Sequence, residues 1–171
     1  MILAKTCPAL LLLFAPIAAA AAPAQLDVTT ADVAQAANSG LRMISPALRC
    51  SDVDRSLRFY VQGLGMIEMG RVNLAEVTEI ILGFSKEPGQ AGIMLIKRKA
   101  DGTAPAIEHG NGYQRTVLRV ADLDAAIARL AAAGYPAGPV RDSGPYRILM
   151  VEDPDGYAYE LVEFPRAPHG T

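Results

Sequence analysis

Few side chains in this sequence belong to the types that most often act as nucleophiles, bases or metal ligands. The chain has two histidines, His109 and His169, and both lie in segments rich in Gly and Pro rather than in predicted strands. Cys50 lies in an apolar stretch, so we expect it to be a small buried residue and not a nucleophile. No Ser-His-Asp or Cys-His arrangement is visible, so covalent catalysis of those kinds is not predicted.

The elements that must position any functional residue come from a repeated unit. Residues 48–57 and 118–127, seventy positions apart, each contain the end of an apolar strand, an Asp-x-Asp helix start and the first turns of an amphipathic helix. Ser51 or Asp52 is expected to cap the first of these helices, and the second is expected to start at Asp122. Two copies of one unit imply two halves of similar shape that face one another. We therefore expect the functional site where the halves meet.

Each copy belongs to a predicted module of one strand, one helix and three further strands. In module one the strands are predicted over residues 44–50, 66–72, 77–84 and 92–99, with the helix over 52–64. In module two the strands are predicted over residues 113–120, 137–141, 146–151 and 157–163, with the helix over 122–133. Helices combined with antiparallel strands in this order predict the α+β class, as two tandem βαβββ modules.

The two ends of the chain are predicted to lie outside the domain. Lys5, an apolar run and the small residues Ala22-Pro23-Ala24 are typical of a secretory signal peptide. The predicted organisation is a signal peptide (1–24), an N-terminal leader (25–42), a single domain (43–165) and a tail (166–171). The domain consists of module one (43–99), a linker (100–112) and module two (113–165). We expect a periplasmic or secreted protein that is not held in a membrane after cleavage.

Charge and cysteine content narrow the classes of partner. The formal net charge is −2, from 16 Lys and Arg against 18 Asp and Glu, and removal of Lys5 with the signal peptide would make it −3. A mild negative charge without basic clusters argues against nucleic acid as a partner. Of the two cysteines, Cys7 falls in the predicted signal peptide, so no intramolecular disulfide is expected in the mature chain.

Several motifs together resemble the vicinal oxygen chelate superfamily, which includes glyoxalase I, extradiol dioxygenases, and bleomycin- and fosfomycin-resistance proteins. They are the two Asp-x-Asp helix starts, the sequence Phe59-Tyr60 followed by Gly63-Leu64-Gly65-Met66, and residues 152–161, Glu-Asp-Pro-Asp-Gly-Tyr-Ala-Tyr-Glu-Leu. The resemblance covers residues 43–165. It implies that each module curls its sheet into a half-barrel and that paired modules enclose a cleft.

The resemblance also implies where a metal would be held. Metal-dependent members take ligands from the first and fourth strands of each module, and glyoxalase I-like enzymes use His, Glu, His and Glu there. The matching positions in this sequence are Ser45, Met94, Arg115 and Glu160. Only Glu160 retains a ligand, because Met suits soft ions alone and Arg carries a fixed positive charge. We therefore predict that no metal or other cofactor is used.

Arg115 and Glu160 are expected to form an ion pair within module two, because a buried carboxylate requires a partner. The pair either preserves the shape of the cleft or presents spare Arg115 donors to an anionic or carbonyl-bearing ligand. Arg119 is either a solvated charge at a strand end or part of the same site. The predicted ligand-binding residues are Ser45, Met94, Tyr113, Arg115, Arg119, Tyr159 and Glu160, with Glu160 as the candidate catalytic residue.

Three kinds of function remain open on these grounds. The favoured hypothesis is an exported protein that binds a small organic molecule in a metal-free, mostly apolar cleft, as resistance-type members of the superfamily do. The alternative is a lyase or isomerase that uses Glu160 as general base or an unrecognised metal site. A third hypothesis is a structural role with a cleft filled by side chains. A homodimer is expected in each case.

Overall fold

The computed structural model of the chain describes residues 40–87, 89–100 and 107–165. The predicted signal peptide, nearly all of the leader, and the tail with His169 lie outside these residues. The chain divides into two compact units, Met1–Leu41 and Arg42–Thr171, and all the described helices and strands belong to the second. Within the described ranges no helix has both the length and the apolar character needed to cross a bilayer.

Module one has the predicted order of one strand, a helix and three strands. Its elements are β1 (Ala47–Arg49), α1 (Val53–Leu57), a π-helix (Arg58–Gly63), β2 (Ile67–Asn73), β3 (Val77–Gly83) and β4 (Gly92–Arg98). The sheet has the strand order β1-β4-β3-β2. Strand β1 is parallel to β4 and the other pairs are antiparallel.

Module two repeats this arrangement. Its elements are β5 (Thr116–Val120), α2 (Leu123–Ala132), β6 (Arg141–Ser143), β7 (Tyr146–Glu152) and β8 (Ala158–Glu163). The strand order β5-β8-β7-β6 is the counterpart of that in module one. The α+β class and the paired βαβββ modules are thus confirmed. Strand β6 begins later than the predicted range 137–141, because Pro139 has no N–H to donate to a neighbouring strand.

The helix starts are formed as the Asp-x-Asp motifs predicted. Asp52 has an extended backbone, and its carboxylate accepts the backbone N–H of Arg55 at 2.9 Å. Asp122 caps α2 in the same way, with the N–H of Ala125 at 2.8 Å. A side-chain oxygen at this position satisfies one of the amide groups that the first helical turn leaves without a partner.

The helix of module one changes from α to π geometry after Leu57. The backbone N–H of Leu64 donates to the carbonyl of Phe59 at 2.9 Å, five residues earlier. The wider turn lets the adjacent residues Phe59 and Tyr60 both lie fully buried. Their rings meet edge to face at 5.1 Å, and Phe59 also packs on Tyr135 of module two at 5.2 Å. A π-helix is rare, and the predicted continuous α-helix over 52–64 did not anticipate it.

The two modules share one hydrophobic core. Each sheet turns one face to this core, with Ile80, Leu82, Ile93 and Leu95 from module one and Leu149, Tyr159 and Leu161 from module two. The π-helix of module one packs against α2 of module two. The region where the halves of one chain meet is therefore filled with side chains. The expectation of a functional site where the halves meet stays a prediction, and the other face of each sheet is the more open one.

Candidate functional site

The open face of each sheet carries the positions that the superfamily resemblance singled out. In module one Ala47 pairs with Met94, and in module two Val117 pairs with Glu160. Paired residues on neighbouring strands lie on the same face. Met94 and Glu160 therefore occupy equivalent places in the two modules. Val117 is 57% exposed, so this face of module two is open to solvent.

Arg115 and Glu160 form the predicted ion pair. The Nε of Arg115 donates to Oε2 of Glu160, and an Nη of Arg115 donates to the side-chain oxygen of Gln114 at 2.6 Å. The Arg115 side chain is 36% exposed and that of Glu160 only 13%. The carboxylate thus lies on the sheet beneath a more accessible guanidinium, whose remaining N–H groups are available to a bound molecule.

Ser45 and Met94 lie together in a pocket of about 200 Å³ on module one. Ile44, Met69 and Ile81 contribute to its apolar wall, and every residue that lines it comes from module one. Met94 adds another apolar side chain to the lining. Within the described chain, Ser45 and Met94 thus form one half-site, and Arg115 and Glu160 form another half-site on the second sheet.

The remaining predicted site residues have different surroundings. The guanidinium of Arg119 lies 4.9 Å from the centre of the Phe164 ring, a cation–π contact on the open side of β5. Tyr113 is 45% exposed, and its hydroxyl bonds to that of Thr116. Tyr159 is fully buried. It does not line a pocket as predicted, because alternation along β8 turns Tyr159 to the core and Glu160 to the open face.

The Asp153-Pro154-Asp155-Gly156 turn carries contacts that sequence reasoning missed. Asp155, whose side chain is 3% exposed, accepts the backbone N–H of Ser51 at 2.9 Å, the Ser51 hydroxyl, and an Nη of Arg55 at 2.9 Å. Ser51 and Arg55 belong to module one, about a hundred residues earlier. We name this set, Ser51, Arg55 and Asp155, the clasp. The two aspartates of the turn were visible in the sequence, but no residue near them in the sequence indicated that Ser51 and Arg55 would be their partners.

A second missed group surrounds Asp153, which is 6% exposed. The hydroxyl of Tyr60 donates to Oδ2 of Asp153 at 2.6 Å, and the hydroxyl oxygens of Tyr60 and Tyr159 are 2.9 Å apart. Burial raises the pKa of Asp153 above its ordinary value, against the opposing effect of the Tyr60 hydrogen bond. Burial likewise raises the pKa of both tyrosines. All three groups are therefore protected from water within the shared core.

His109 and Cys50 take no part in a nucleophilic arrangement. The Nε2 of His109 bonds to the backbone oxygen of Asp155 at 2.8 Å, and its ring packs on Tyr157 at 4.5 Å. Cys50 is 4% exposed. Burial, assisted by the charge of Asp155, raises the pKa of the Cys50 thiol to about 11. A thiol that stays protonated is a poor nucleophile, in agreement with the sequence prediction.

The fold and the residues of the open faces define a class of proteins. Residues 42–161 match the family description Glyoxalase/Bleomycin resistance protein/Dioxygenase superfamily. The chain belongs to this superfamily, as its motifs indicated.

Individual relatives point to an enzyme class within that family. The chain is 34% identical over 138 residues to a probable lactoylglutathione lyase of Vibrio cholerae, covering 77% of this chain and 97% of the relative. It is 31% identical to the lactoylglutathione lyase of Haemophilus influenzae, covering 72% and 93%. Among solved structures, the trypanothione-dependent glyoxalase I of Leishmania major has a TM-score of 0.63 at 27% identity, with coverage of 72% and 87%.

The prediction that no cofactor is used is overturned by these comparisons. Lactoylglutathione lyases are metal-dependent enzymes that use nickel or zinc. The prediction relied on four strand positions within one chain, whereas metals in enzymes are also held by fewer protein ligands together with water or substrate. The donors at those positions in this chain still fit a divalent ion poorly, because Glu160 is the one carboxylate and Arg115 is bonded to it.

The described part of the chain offers no alternative donor cluster. It contains no group of three or more His, Cys, Asp or Glu side chains placed to hold a metal.

Proposed function

We propose that this chain is an enzyme of the lyase or isomerase type that acts on a small carbonyl compound at the open face of module two. The observation that carries the proposal is the Arg115–Glu160 pair, which places a carboxylate beside a partly exposed guanidinium. The named relatives support an enzyme over the sequestering protein that the sequence favoured. Lactoylglutathione, the compound in their names, is the first substrate to test.

The pair is suited to moving a proton next to a carbonyl group. The free N–H groups of Arg115 would bind the carbonyl oxygen and stabilise the negative charge that develops on it. Oε2 of Glu160 is engaged by Arg115, so Oε1 would accept the proton from the hydroxyl-bearing carbon next to the carbonyl and return it to the former carbonyl carbon. The hydroxyl proton passes to the former carbonyl oxygen, so the carbonyl and hydroxyl groups exchange places. The carbon framework and the electron count are unchanged. The reaction is therefore an isomerisation, or in reverse the first step of a lyase.

The test is an assay for thioester formation from methylglyoxal and glutathione. Purified wild-type protein is compared with Glu160→Gln, which keeps the shape of the side chain and removes the base. We expect turnover by the wild type and a loss of at least about 100-fold in kcat for the variant. The assay is run with and without added nickel or zinc, because the relatives belong to a metal-dependent class.

Glu163→Gln is the matched control, since Glu163 lies on the same strand but bonds instead to Arg147 at 2.9 Å. It should retain wild-type turnover. Equal activity of Glu160→Gln and wild type would refute Glu160 as the base. Absence of turnover with every thiol and aldehyde tested, combined with tight binding of an organic ligand, would favour the sequestering function instead.

We also propose that two copies pair through their open faces. Exposed apolar side chains lie on or beside these faces: Met69, Val117 and Met150. The helices of the chain pack on the core side of each sheet, so a second copy is a suitable cover for the open side. In such a pair the Ser45–Met94 pocket of one copy would lie against the Arg115–Glu160 pair of the other. Light scattering should give twice the chain mass at micromolar concentration, and a monomer there would exclude the pairing.

Export to the periplasm or medium is proposed on the signal-peptide pattern of residues 1–24 alone. Protein recovered from cell fractions should begin at Gln25. Recovery of a full-length chain from the cytoplasm would contradict it.

A further inference from the structure

A cavity of about 260 Å³ lies at the edge of the shared core and is lined by residues of both modules. Module one contributes Leu64, which follows the π-helix, and Phe84, which follows β3. Module two contributes the end of β5, one side of α2 and Leu161 of β8. We name this cavity the seam pocket.

The seam pocket lies on the opposite side of the second sheet from the Arg115–Glu160 pair. Leu118, which lines the pocket, is paired with Leu161 across β5 and β8, and Leu161 is fully buried in the core. Val117 and Glu160, the pair next to it, lie on the open face because side chains alternate along a strand. A molecule in the seam pocket would therefore not occupy the site of the proposed function.

The inner wall of the seam pocket is apolar. Leu161 and Ala126 are fully buried there. Phe84 continues the alternation that turns Ile80 and Leu82 to the core, yet Phe84 is 47% exposed. A ring that belongs to the core side and is still half exposed can cover one side of a bound apolar group.

Arg129 of α2 supplies a positive charge beside this apolar wall. A Cβ built on Gly65 would lie 3.7 Å from Nε of Arg129, so the side chain extends from module two to module one at the pocket. Within the described residues its guanidinium takes part in no hydrogen bond or ion pair. Its N–H groups are therefore available to a bound oxyanion.

The other two charged residues of the lining leave this positive charge uncancelled. The guanidinium of Arg119 lies against the ring of Phe164. The carboxylate of Asp122 accepts the backbone N–H of Ala125 at 2.8 Å as the cap of α2. Two arginines and one aspartate give the lining a net charge of +1. The charge of the pocket thus favours an anion.

We propose that the seam pocket binds a small apolar molecule that carries one carboxylate. The apolar part lies against Leu64, Phe84 and Leu161, and the carboxylate pairs with Arg129. The volume is just below the range of about 300–1,000 Å³ for drug-sized ligands, so a short aliphatic or aromatic acid is the class of ligand that fits.

Calorimetric titration with straight-chain acids tests this chemistry. Hexanoate, heptanoate and octanoate are titrated into the purified protein, and 1-octanol serves as the neutral probe. We expect one molecule bound per chain, with a Kd that falls about fourfold for each added CH₂. Octanol should bind more weakly than octanoate. A Kd that does not depend on chain length, or no saturation with any of the three acids, would overturn the inference.

Arg129→Gln tests the partner of the carboxylate. The variant should raise the Kd of octanoate about tenfold, because a charge-assisted hydrogen bond is lost, and should leave the Kd of octanol unchanged. Arg141→Gln is the matched control, since Arg141 is an exposed strand residue that does not line the seam pocket. Equal Kd values for octanoate in the two variants would refute the role of Arg129.

Methyl NMR spectra locate the bound acid. Octanoate should shift the methyl signals of Leu64, Ala126 and Leu161 and leave those of Val117 and Met150 in place. Shifts confined to Val117 and Met150 would place the acid on the open face and exclude the seam pocket. These spectra require no turnover, so their outcome is independent of the proposed function.

Ala126→Leu tests the cavity itself, because the larger side chain would occupy part of its volume. Octanoate should no longer bind to this variant at concentrations that saturate the wild type. Unchanged binding by the folded variant would contradict the proposal. If Ala126→Leu does not fold, Phe84→Ala removes the exposed ring instead and should raise the Kd of octanoate about tenfold. An unchanged Kd in Phe84→Ala would then overturn the inference.

Discussion

The two aspartates of the Asp153-Pro154-Asp155-Gly156 turn differ in what surrounds them. Asp155 receives an arginine, a hydroxyl and a backbone amide from module one. Asp153 receives a tyrosine hydroxyl and two backbone amides but no cation among its hydrogen-bond partners. Burial without a cation raises the pKa of a carboxyl group. The two side chains, two residues apart, should therefore respond differently to substitution.

The pKa of Asp153 predicts the sign of one pH effect on stability. Folding raises this pKa above its ordinary value of 3.8. The contribution of Asp153 to the free energy of unfolding is therefore fully present below pH 3.8 and is lost as pH rises through the folded-state pKa. Asp153→Asn cannot ionise. The free energy of unfolding of the wild type, measured by urea titration, should therefore fall relative to that of Asp153→Asn as pH increases above about 3.8.

Asp124 provides the control with the opposite sign. The hydrogen bond from Arg147 lowers the pKa of this exposed carboxyl. Any contribution of Asp124 to the stability of the fold is therefore lost as pH falls through its lowered folded-state pKa. Asp124→Asn should therefore approach wild-type stability at acid pH. A parallel pH dependence in the two variants would contradict the assignment of Asp153 as the buried group.

At the scale of helices and strands, much of the fold could be predicted because the signals are local. The Asp52 and Asp122 caps, and the period-two alternation that turns Glu160 to the open face, follow from neighbouring residues. The π-helix did not follow, because it depends on burying Phe59 and Tyr60 against module two. The clasp and the hydrogen bond between Tyr60 and Tyr159 join residues about a hundred positions apart. Such contacts depend on how the modules pack together, and the spacing of apolar residues along the sequence does not predict that packing.

The pairing of β3 with β4 depends on a glycine at the start of β4. A Cβ built on Gly92 would lie 2.0 Å from the backbone oxygen of Leu82, and that oxygen cannot move without disturbing the sheet. Gly92→Ala should therefore lower the free energy of unfolding by at least about 2 kcal/mol. The measurement is the midpoint and slope of urea denaturation.

Gly70→Ala is the matched substitution in the same sheet. A Cβ there meets no atom within 4 Å, and the change should stay within about 0.5 kcal/mol. Similar losses for the two variants would mean that the flexibility of glycine, rather than the close approach at Gly92, sets the cost.

At the scale of the whole molecule, the contacts between modules are as specific as those within them. The clasp, the Tyr60–Asp153 bond and the rings of Phe59 and Tyr135 all join module one to module two. The hydroxyl of Tyr135 also donates to the backbone oxygen of Arg55 at 2.9 Å. The open faces lie outside this joined core. Changes at the clasp should therefore alter stability and leave the Arg115–Glu160 pair in place.

Asp155→Ala tests this separation. Removal of the carboxylate leaves the Ser51 amide and hydroxyl without their partner, and we expect a loss of about 2 kcal/mol in the free energy of unfolding. The KM of the surviving folded protein should be unchanged. Asp124→Ala removes an exposed ion pair with Arg147 instead and should cost less stability than Asp155→Ala, because solvent screens an exposed pair. A large change in KM for Asp155→Ala, measured well below its unfolding midpoint, would show that the clasp and the site are coupled.

Because the modules share one core, neither module should fold alone when the chain is cut between them. Each half presents half of one interior, with Phe59 and Tyr60 on one side and Tyr135 and Tyr159 on the other. A chain opened between residues 100 and 107 should yield two fragments that are each poorly ordered alone and recover the native fold on mixing. The repeat therefore provides a ready cleavage point for a split reporter, whose reassembly would be driven by aromatic packing and completed by the clasp.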